Sequence, residues 1–283
     1  MTASSPSAST PGQVRVEEMV FDVVDEGPRD GEVVLLLHGF PQTSHSWRHV
    51  RPALVEAGYR VLAPDQRGYS PGARPEGADA YDMPHLLGDV LGVLDGLGVE
   101  RAHVVGHDWG AAVAWQLASR HPQRVRTLTA VSVPHPLEFT DALRHDEDQR
   151  RRSKYMLLFK QPGKAEEVLL EDGARRLREL FGVPGVDVER YVALMQEPDV
   201  LTKALNWYRA TKRADNDGLE PVTVPTTYVW SDGDEALGRT AAEGTAQHIA
   251  ADYRFVELSG VSHWVPEEAP DALVAAVLER LRG

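Results

Sequence analysis

The chain has 283 residues, 42% hydrophobic and 26% charged, which is enough for one large α/β domain with room for an inserted subdomain. Its formal net charge of -13 repels nucleic acid and anionic lipid, so neither is expected as a partner. There is no cysteine, which excludes disulfides and thiolate chemistry and suits a reducing cytoplasm.

Thr2 to Gly12 is rich in Ser, Thr, Ala and Pro and lacks a basic start or an apolar h-region. Residues 1–13 are therefore read as a disordered tail and not as a signal peptide. No apolar run approaches the ~20 residues needed to cross a bilayer. A cytoplasmic location without membrane contact is expected. Val14 to Val24 suits an antiparallel hairpin. Val33 to Leu37 is a buried strand ending at His38-Gly39-Phe40-Pro41. Helix signals run from Trp47 to Ala57 and stop at Gly58. Tyr59 to Ala63 is the next strand. Asp82 caps a helix from Met83 to about Leu97, closed by Gly98. Strands follow at His103 to Gly106 and Val125 to Ser132, later at Thr226 to Trp230 and Tyr253 to Leu258. Asp271 to Leu281 is a terminal amphipathic helix. Strands alternating with helices predict a mostly parallel sheet covered on both faces.

Between His135 and Asp215 the strand signal vanishes and helical patterns take over, broken at Pro162-Gly163, Pro184-Gly185 and Pro198. Residues 135–215 are expected to form a helical cap inserted into a core made of 14–134 and 216–283. This segment carries 15 basic and 15 acidic residues, so the whole net charge lies on the remainder. The run Asp146-Glu147-Asp148 followed by Arg150-Arg151-Arg152 reads as a solvated helix of mixed charge.

Gly106-His107-Asp108-Trp109-Gly110 follows a strand and opens a helix. This is the frame of a nucleophile elbow, with Asp where Ser is usual. A serine alkoxide attacks acyl carbon. A carboxylate suits displacement at saturated carbon, giving an ester that water then hydrolyses. The chemistry thus shifts from ester cleavage toward opening epoxides or breaking carbon–halogen bonds. Such an ester needs a base for water and a carboxylate to orient the base, in the chain order nucleophile, acid, His. His263, in Ser262-His263-Trp264 beyond the last strand, is the candidate base. His248 lies before that strand within a helical pattern. The acid lies in Ser231-Asp232-Gly233-Asp234. Asp234 is favoured, with Asp232 read as an Asx turn. Expected oxyanion donors are the N–H groups of Trp109 and Phe40, where Gly39 permits close approach and Pro41 offers a site for a cis bond. His107 is read as a packing residue and Asp65 to Ser70 as a supporting loop. The histidines lack paired metal spacing, and no Gly-rich phosphate loop follows a strand, so neither a metal nor a cofactor is implied.

His38-Gly39-Phe40-Pro41, Asp65-Gln66-Arg67-Gly68-Tyr69-Ser70, the Asp108 elbow and Ser262-His263-Trp264 together resemble the α/β-hydrolase fold epoxide hydrolases over nearly the whole chain. The resemblance implies a mostly parallel eight-stranded sheet with an inserted helical cap. It also implies a small-molecule epoxide and water as reactants. Opening an epoxide makes a poor alkoxide leaving group that needs a proton or strong hydrogen bond. Similar enzymes supply two cap tyrosines, one four residues before a Phe-x-x-Pro-Gly segment and one ending Asn-Trp-Tyr. Tyr155 and Tyr208 fall on those positions, so the resemblance makes them donors that also bind substrate beside Phe40 and Trp109. The same Asp elbow is found in haloalkane and fluoroacetate dehalogenases, the alternative reading. Against it, Phe40 stands where many haloalkane dehalogenases place a halide-binding Asn. A catalytically silent ligand-binding relative is a third reading, opposed by the intact set Asp108, Asp234, His263. Met156, Leu157, Phe181, Leu194 and Met195 are candidates for pocket lining or core.

Overall fold

The computed structural model describes residues 12–183 and 185–283. Its eight strands are β1 (Gly12–Val16), β2 (Met19–Glu26), β3 (Val33–Leu37), β4 (Arg60–Pro64), β5 (Ala102–His107), β6 (Val125–Val131), β7 (Thr226–Ser231) and β8 (Tyr253–Leu258). They form one sheet in the order β1-β2-β4-β3-β5-β6-β7-β8. β1, β2 and β4 pair antiparallel; the pairs from β4 through β8 are parallel. Of the expected tail, Gly12 and Gln13 belong to β1, and the rest lies outside the described residues.

The core helices are α1 (Arg51–Glu56), α2 (Met83–Gly96) and α3 (Trp109–Arg120). Six more follow β6: α4 (Pro136–His145), α5 (Glu147–Arg152), α6 (Tyr155–Phe159), α7 (Lys164–Glu179), α8 (Val188–Met195) and α9 (Val200–Ala210). After β7 come α10 (Arg239–Gly244), α11 (Val265–Glu268) and α12 (Pro270–Leu281). α1 is shorter than expected. Ser44–Trp47 forms a separate 3-10 turn that buries Trp47, and the helix starts only at Arg51, with Pro52 in its first turn. Proline is tolerated there because that N–H has no helical partner anyway. α2 starts as the sequence predicts, with Asp82 accepting the His85 N–H.

Successive strand residues point to opposite faces, so a parallel strand covered on both sides must be apolar throughout. In β3, Leu35 and Leu37 join the cluster beneath α2 and α3, while Val34 and Leu36 join the one beneath α1 and α12. Each such fully buried side chain contributes about 1.5–3 kcal/mol.

α7 is interrupted at Glu171 to Ala174, where Asp172, Gly173 and Ala174 have positive φ, a break the sequence does not signal. Of the expected breaks, Gly163 and Gly185 do take positive φ, Pro184 lies outside the described residues, and α9 begins just after Pro198. The block α4 to α9 is tied down at several points. Trp207 Nε1 donates to the Arg67 carbonyl at 2.9 Å, so the Asp65 to Ser70 loop seats α9. Glu267, buried on α11, accepts from Tyr191 Oη at 3.1 Å and from Gln42 and Arg48.

In an open parallel sheet, ligands bind where neighbouring strands send their connections in opposite directions. Here β3 lies between β4 and β5, so that point falls at the C-terminal ends of β3 and β5. These ends carry Gly39 and Asp108.

Candidate active site

Asp108 sits at the turn from β5 to α3 with φ 51° and ψ -121°. A non-glycine residue in this region is strained, and such strain gathers at functional sites. The flanking glycines are required by contact. A Cβ on Gly106 would lie 2.2 Å from the Gly110 carbonyl oxygen, and one on Gly110 would lie 2.0 Å from that of Leu37.

The turn presents a buried carboxylate with its two oxygens in different surroundings. Oδ1 accepts the Phe40 N–H at 2.8 Å; the backbone N–H of Trp109, the next residue, also favours the charged form of this carboxylate. Oδ2 faces His263 Nε2 at 3.4 Å. Phe40 follows Gly39, and the Phe40–Pro41 peptide is cis. Burial would raise the Asp108 carboxyl. The hydrogen bond and charge of His263, with His107 and the Trp109 N–H, outweigh it and hold the group below its usual value.

His263 Nδ1 lies 2.8 Å from Asp234 Oδ2. Burial acts to lower this imidazole, but the carboxylates of Asp234 and Asp108 overcome it and push it up to about 10. Asp234 Oδ1 accepts the N–H groups of Ala236 at 2.7 Å and Leu237 at 3.0 Å, so both oxygens are fixed. The local turn expected at Asp232 is therefore made by Asp234. Asp232 instead reaches across to the next loop and accepts the Gly260 N–H at 2.6 Å.

Tyr155 at the start of α6 and Tyr208 near the end of α9 meet edge to face, with ring centroids 6.3 Å apart. The Tyr208 ring also meets Trp109 at 5.0 Å and Phe40 at 5.5 Å, both edge to face. Burial is the main cause that raises both phenols well above their usual value; the Asp108 charge adds to it. Both phenols therefore remain protonated donors. Asp108, Tyr155 and Tyr208 line two cavities that meet at the carboxylate. One, of about 120 Å³, runs past Trp109, Val133, Phe139 and Met156. The other, of about 290 Å³, is flanked by Phe181, Trp264 and His263 and reaches Arg152.

All seven predicted site residues, Phe40, Asp108, Trp109, Tyr155, Tyr208, Asp234 and His263, thus meet at one place. Other expectations need correction. Arg152 is not merely solvated: it lines the larger cavity and donates to the Asp234 carbonyl. Leu157 is 68% exposed and neither lines these two cavities nor joins the core, whereas Met195 is buried in the apolar core, one of the two places expected of it. His107 packs as expected but also has a polar task. Burial, aided by the His263 charge, lowers its pKa to about 4. The neutral ring donates from Nε2 to the His263 carbonyl at 2.8 Å, which Ser132 Oγ also reaches at 3.1 Å. Gln149, buried on α5 and donating to the Ala236 carbonyl behind Asp234, carries no signal in the sequence beyond being a neutral amide within a run of charges. Among the described residues, no group of three His, Cys, Asp or Glu side chains could hold a metal ion, and no helix is long and apolar enough to cross a membrane.

This sheet, with an Asp elbow at its switch point and a His–Asp pair behind it, is that of an α/β hydrolase. The chain belongs to the α/β-hydrolase fold family, whose model matches residues 32–270, and its relatives there include epoxide hydrolases. It is 36% identical to epoxide hydrolase A of Mycobacterium tuberculosis, over 92% of this chain and 94% of that protein. It is also 36% identical to the AB hydrolase superfamily protein YfhM of Bacillus subtilis, over 95% and 96% respectively. Among solved structures, epoxide hydrolase A from Mycobacterium thermoresistibile superimposes with a TM-score of 0.84 at 34% identity, covering 97% of this chain and 99% of that one.

Proposed function

We propose that this chain converts an epoxide to a vicinal diol through a covalent ester on Asp108. In the first step, Asp108 Oδ2 attacks a ring carbon while Tyr155 and Tyr208 hydrogen-bond the ring oxygen. The C–O bond to that oxygen breaks, a phenol proton passes to the alkoxide, and a hydroxyalkyl ester is left on Asp108. In the second step, His263, held by Asp234, takes a proton from water, and the hydroxide attacks Asp108 Cγ. The oxyanion that forms on Oδ1 is met by the Phe40 N–H, already aimed where charge develops, with the Trp109 N–H as the second donor. Collapse breaks the Cγ–Oδ2 bond, His263 returns its proton to that oxygen as the diol leaves, and the proton left on the new Asp108 carboxyl group passes to the phenolate, restoring both groups.

The observation that carries this reading is a buried carboxylate sharing its cavities with two cap phenols, with a His–Asp pair on its other side. A halide leaves without a proton, so a paired phenol donor favours ring opening over dehalogenation. Alkylation also explains why the imidazole can serve as a base. Esterification removes the Asp108 charge, one of the two that raise His263, so its proton affinity falls for the second step. On this reading residues 135–215 act as a cap that brings the phenols over the core, and no step calls for a cofactor. The enzyme would work in the cytoplasm, which a cysteine-free sequence permits.

The test is His263→Gln treated with a terminal aryl epoxide. Intact-protein mass should show an adduct that maps to Asp108 and persists, while the wild type turns over to diol. A His263→Gln protein that never gains mass, beside an active wild type, refutes the covalent route. A primary haloalkane offered in parallel should release no halide.

A further inference from the structure

The two-step route leaves unused a set of hydrogen bonds between α5 and the loop after β7. Gln149 on α5 is fully buried. Its Nε2 donates to the Ala236 carbonyl at 2.8 Å and to Ser153 Oγ at 2.9 Å, and its Oε1 accepts the Gly238 N–H at 2.8 Å. Ala236 and Gly238 flank Leu237, and the Ala236 and Leu237 N–H groups are the ones that fix Asp234 Oδ1. One turn further on, Arg152 Nη1 donates to the Asp234 carbonyl itself, while its Nε is held by Asp148 Oδ2 at 2.6 Å. On the other side, the Ser153 carbonyl accepts the Met156 N–H at 3.1 Å, in the turn that launches Tyr155.

We propose that Gln149, seconded by Arg152, is a positioning residue that registers the inserted helices against the triad acid, so that one buried amide sets both the hold of Asp234 on His263 and the seat of Tyr155. This rests on the covalent reading above. The physical reason lies in the cost of unmade bonds. Without the amide, the Ala236 carbonyl and the Gly238 N–H lose their partners inside the protein. The loop must then move to recover them, and it carries Asp234 with it. A carboxylate that retreats from His263 raises the imidazole less, so the base of the second step becomes weaker and titrates lower.

The experiment compares wild type with Gln149→Met, of similar volume but unable to make these bonds, in single turnovers of a terminal aryl epoxide. Quenched samples report ester and diol separately at several pH values, along with Tm. The expected result is ester hydrolysis slowed about tenfold or more, with its pH profile displaced downward. A merely structural role would lower Tm and the active fraction but leave hydrolysis per ester and its pH profile as in wild type; that outcome overturns the proposal. Should Gln149→Met not fold, Arg152→Met removes the tie to the Asp234 carbonyl, with the Asp148 ion pair, while keeping the Gln149 bonds, and a wild-type hydrolysis profile there is equally fatal. Absence of any ester in the wild type marks failure of the covalent reading, and the proposal falls with it.

Discussion

Gly39→Ala should disable the nucleophile without unfolding the protein. A Cβ built on Gly39 would lie 2.3 Å from both Asp108 Cβ and Oδ1, and 2.7 Å from Cγ. Carbon–carbon contacts are optimal at about 3.5–4.0 Å, so something must give by roughly 1 Å. The carboxylate could swing, but Cβ of Asp108 cannot, because the strained elbow backbone fixes it. The opposing loop is pinned too: the Gln42 N–H donates to the Gly39 carbonyl at 2.9 Å, and the Phe40 N–H to Asp108. Either the carboxylate leaves its line of attack or the Phe40 donor withdraws. A 1 Å misplacement of reacting groups costs on the order of 10²-fold. Ester formation should slow by about that factor, read by rapid-quench mass spectrometry of intact protein, with Tm followed alongside. A Gly39→Ala enzyme that forms ester near the wild-type rate would refute the placement of Asp108 as the attacking group. Gly88→Ala is the matched control. It is exposed on α2 with nothing within 4 Å of the new Cβ, so it should leave activity intact and stabilise by about 0.5–1 kcal/mol, seen as a higher Tm.

The two phenols should act in the first step only. Tyr155→Phe or Tyr208→Phe should each slow ester formation by about 10²-fold, and the pair together should abolish it; unchanged rates would return both rings to packing. Asp234→Asn should stall hydrolysis, whereas Asp232→Asn should not, since the Asp232 carboxylate hydrogen-bonds the Ser259–Gly260 turn and not His263; equal effects in a rate assay would undo this division of roles. His263 is held at about 10 in the fold against 6.5 as an ordinary value, so the folded state binds more protons across that window. The stability it contributes is complete below about pH 6.5 and is lost as pH rises toward 10. Thermal scans should show Tm falling across that range, more steeply in wild type than in His263→Gln, and parallel slopes would contradict the assignment.

Much of this protein is legible along the chain because its signals are local. Short apolar runs mark the central strands buried on both faces, and β3 to β7 fall within one residue of them; β1 and β2 fill the span expected of a hairpin, lengthened by two residues at each end. The elbow is legible because its backbone demands small residues on either side of the nucleophile. The choice of Asp at its centre restricts the chemistry before any fold is known. The helix expected from Trp47 was misplaced because its pattern is local but its start is not: Trp47 turns inward to a core formed by α1 and α12, which are distant in sequence.

Other features exist only after folding. Gln149, Arg152, His107 and Ser132 act on backbone groups of Asp234, Ala236, Gly238 and His263, which lie 82 to 156 residues away in the chain. A backbone carbonyl has the same identity at every residue, so no pattern of side chains announces which one a buried amide will meet. The sequence by itself determined the alternation of elements and the type of reacting group at each loop. The tertiary structure alone decided which oxygen of Asp108 faces the N–H donors and which faces His263, because that orientation is set by packing between segments with no common sequence neighbourhood.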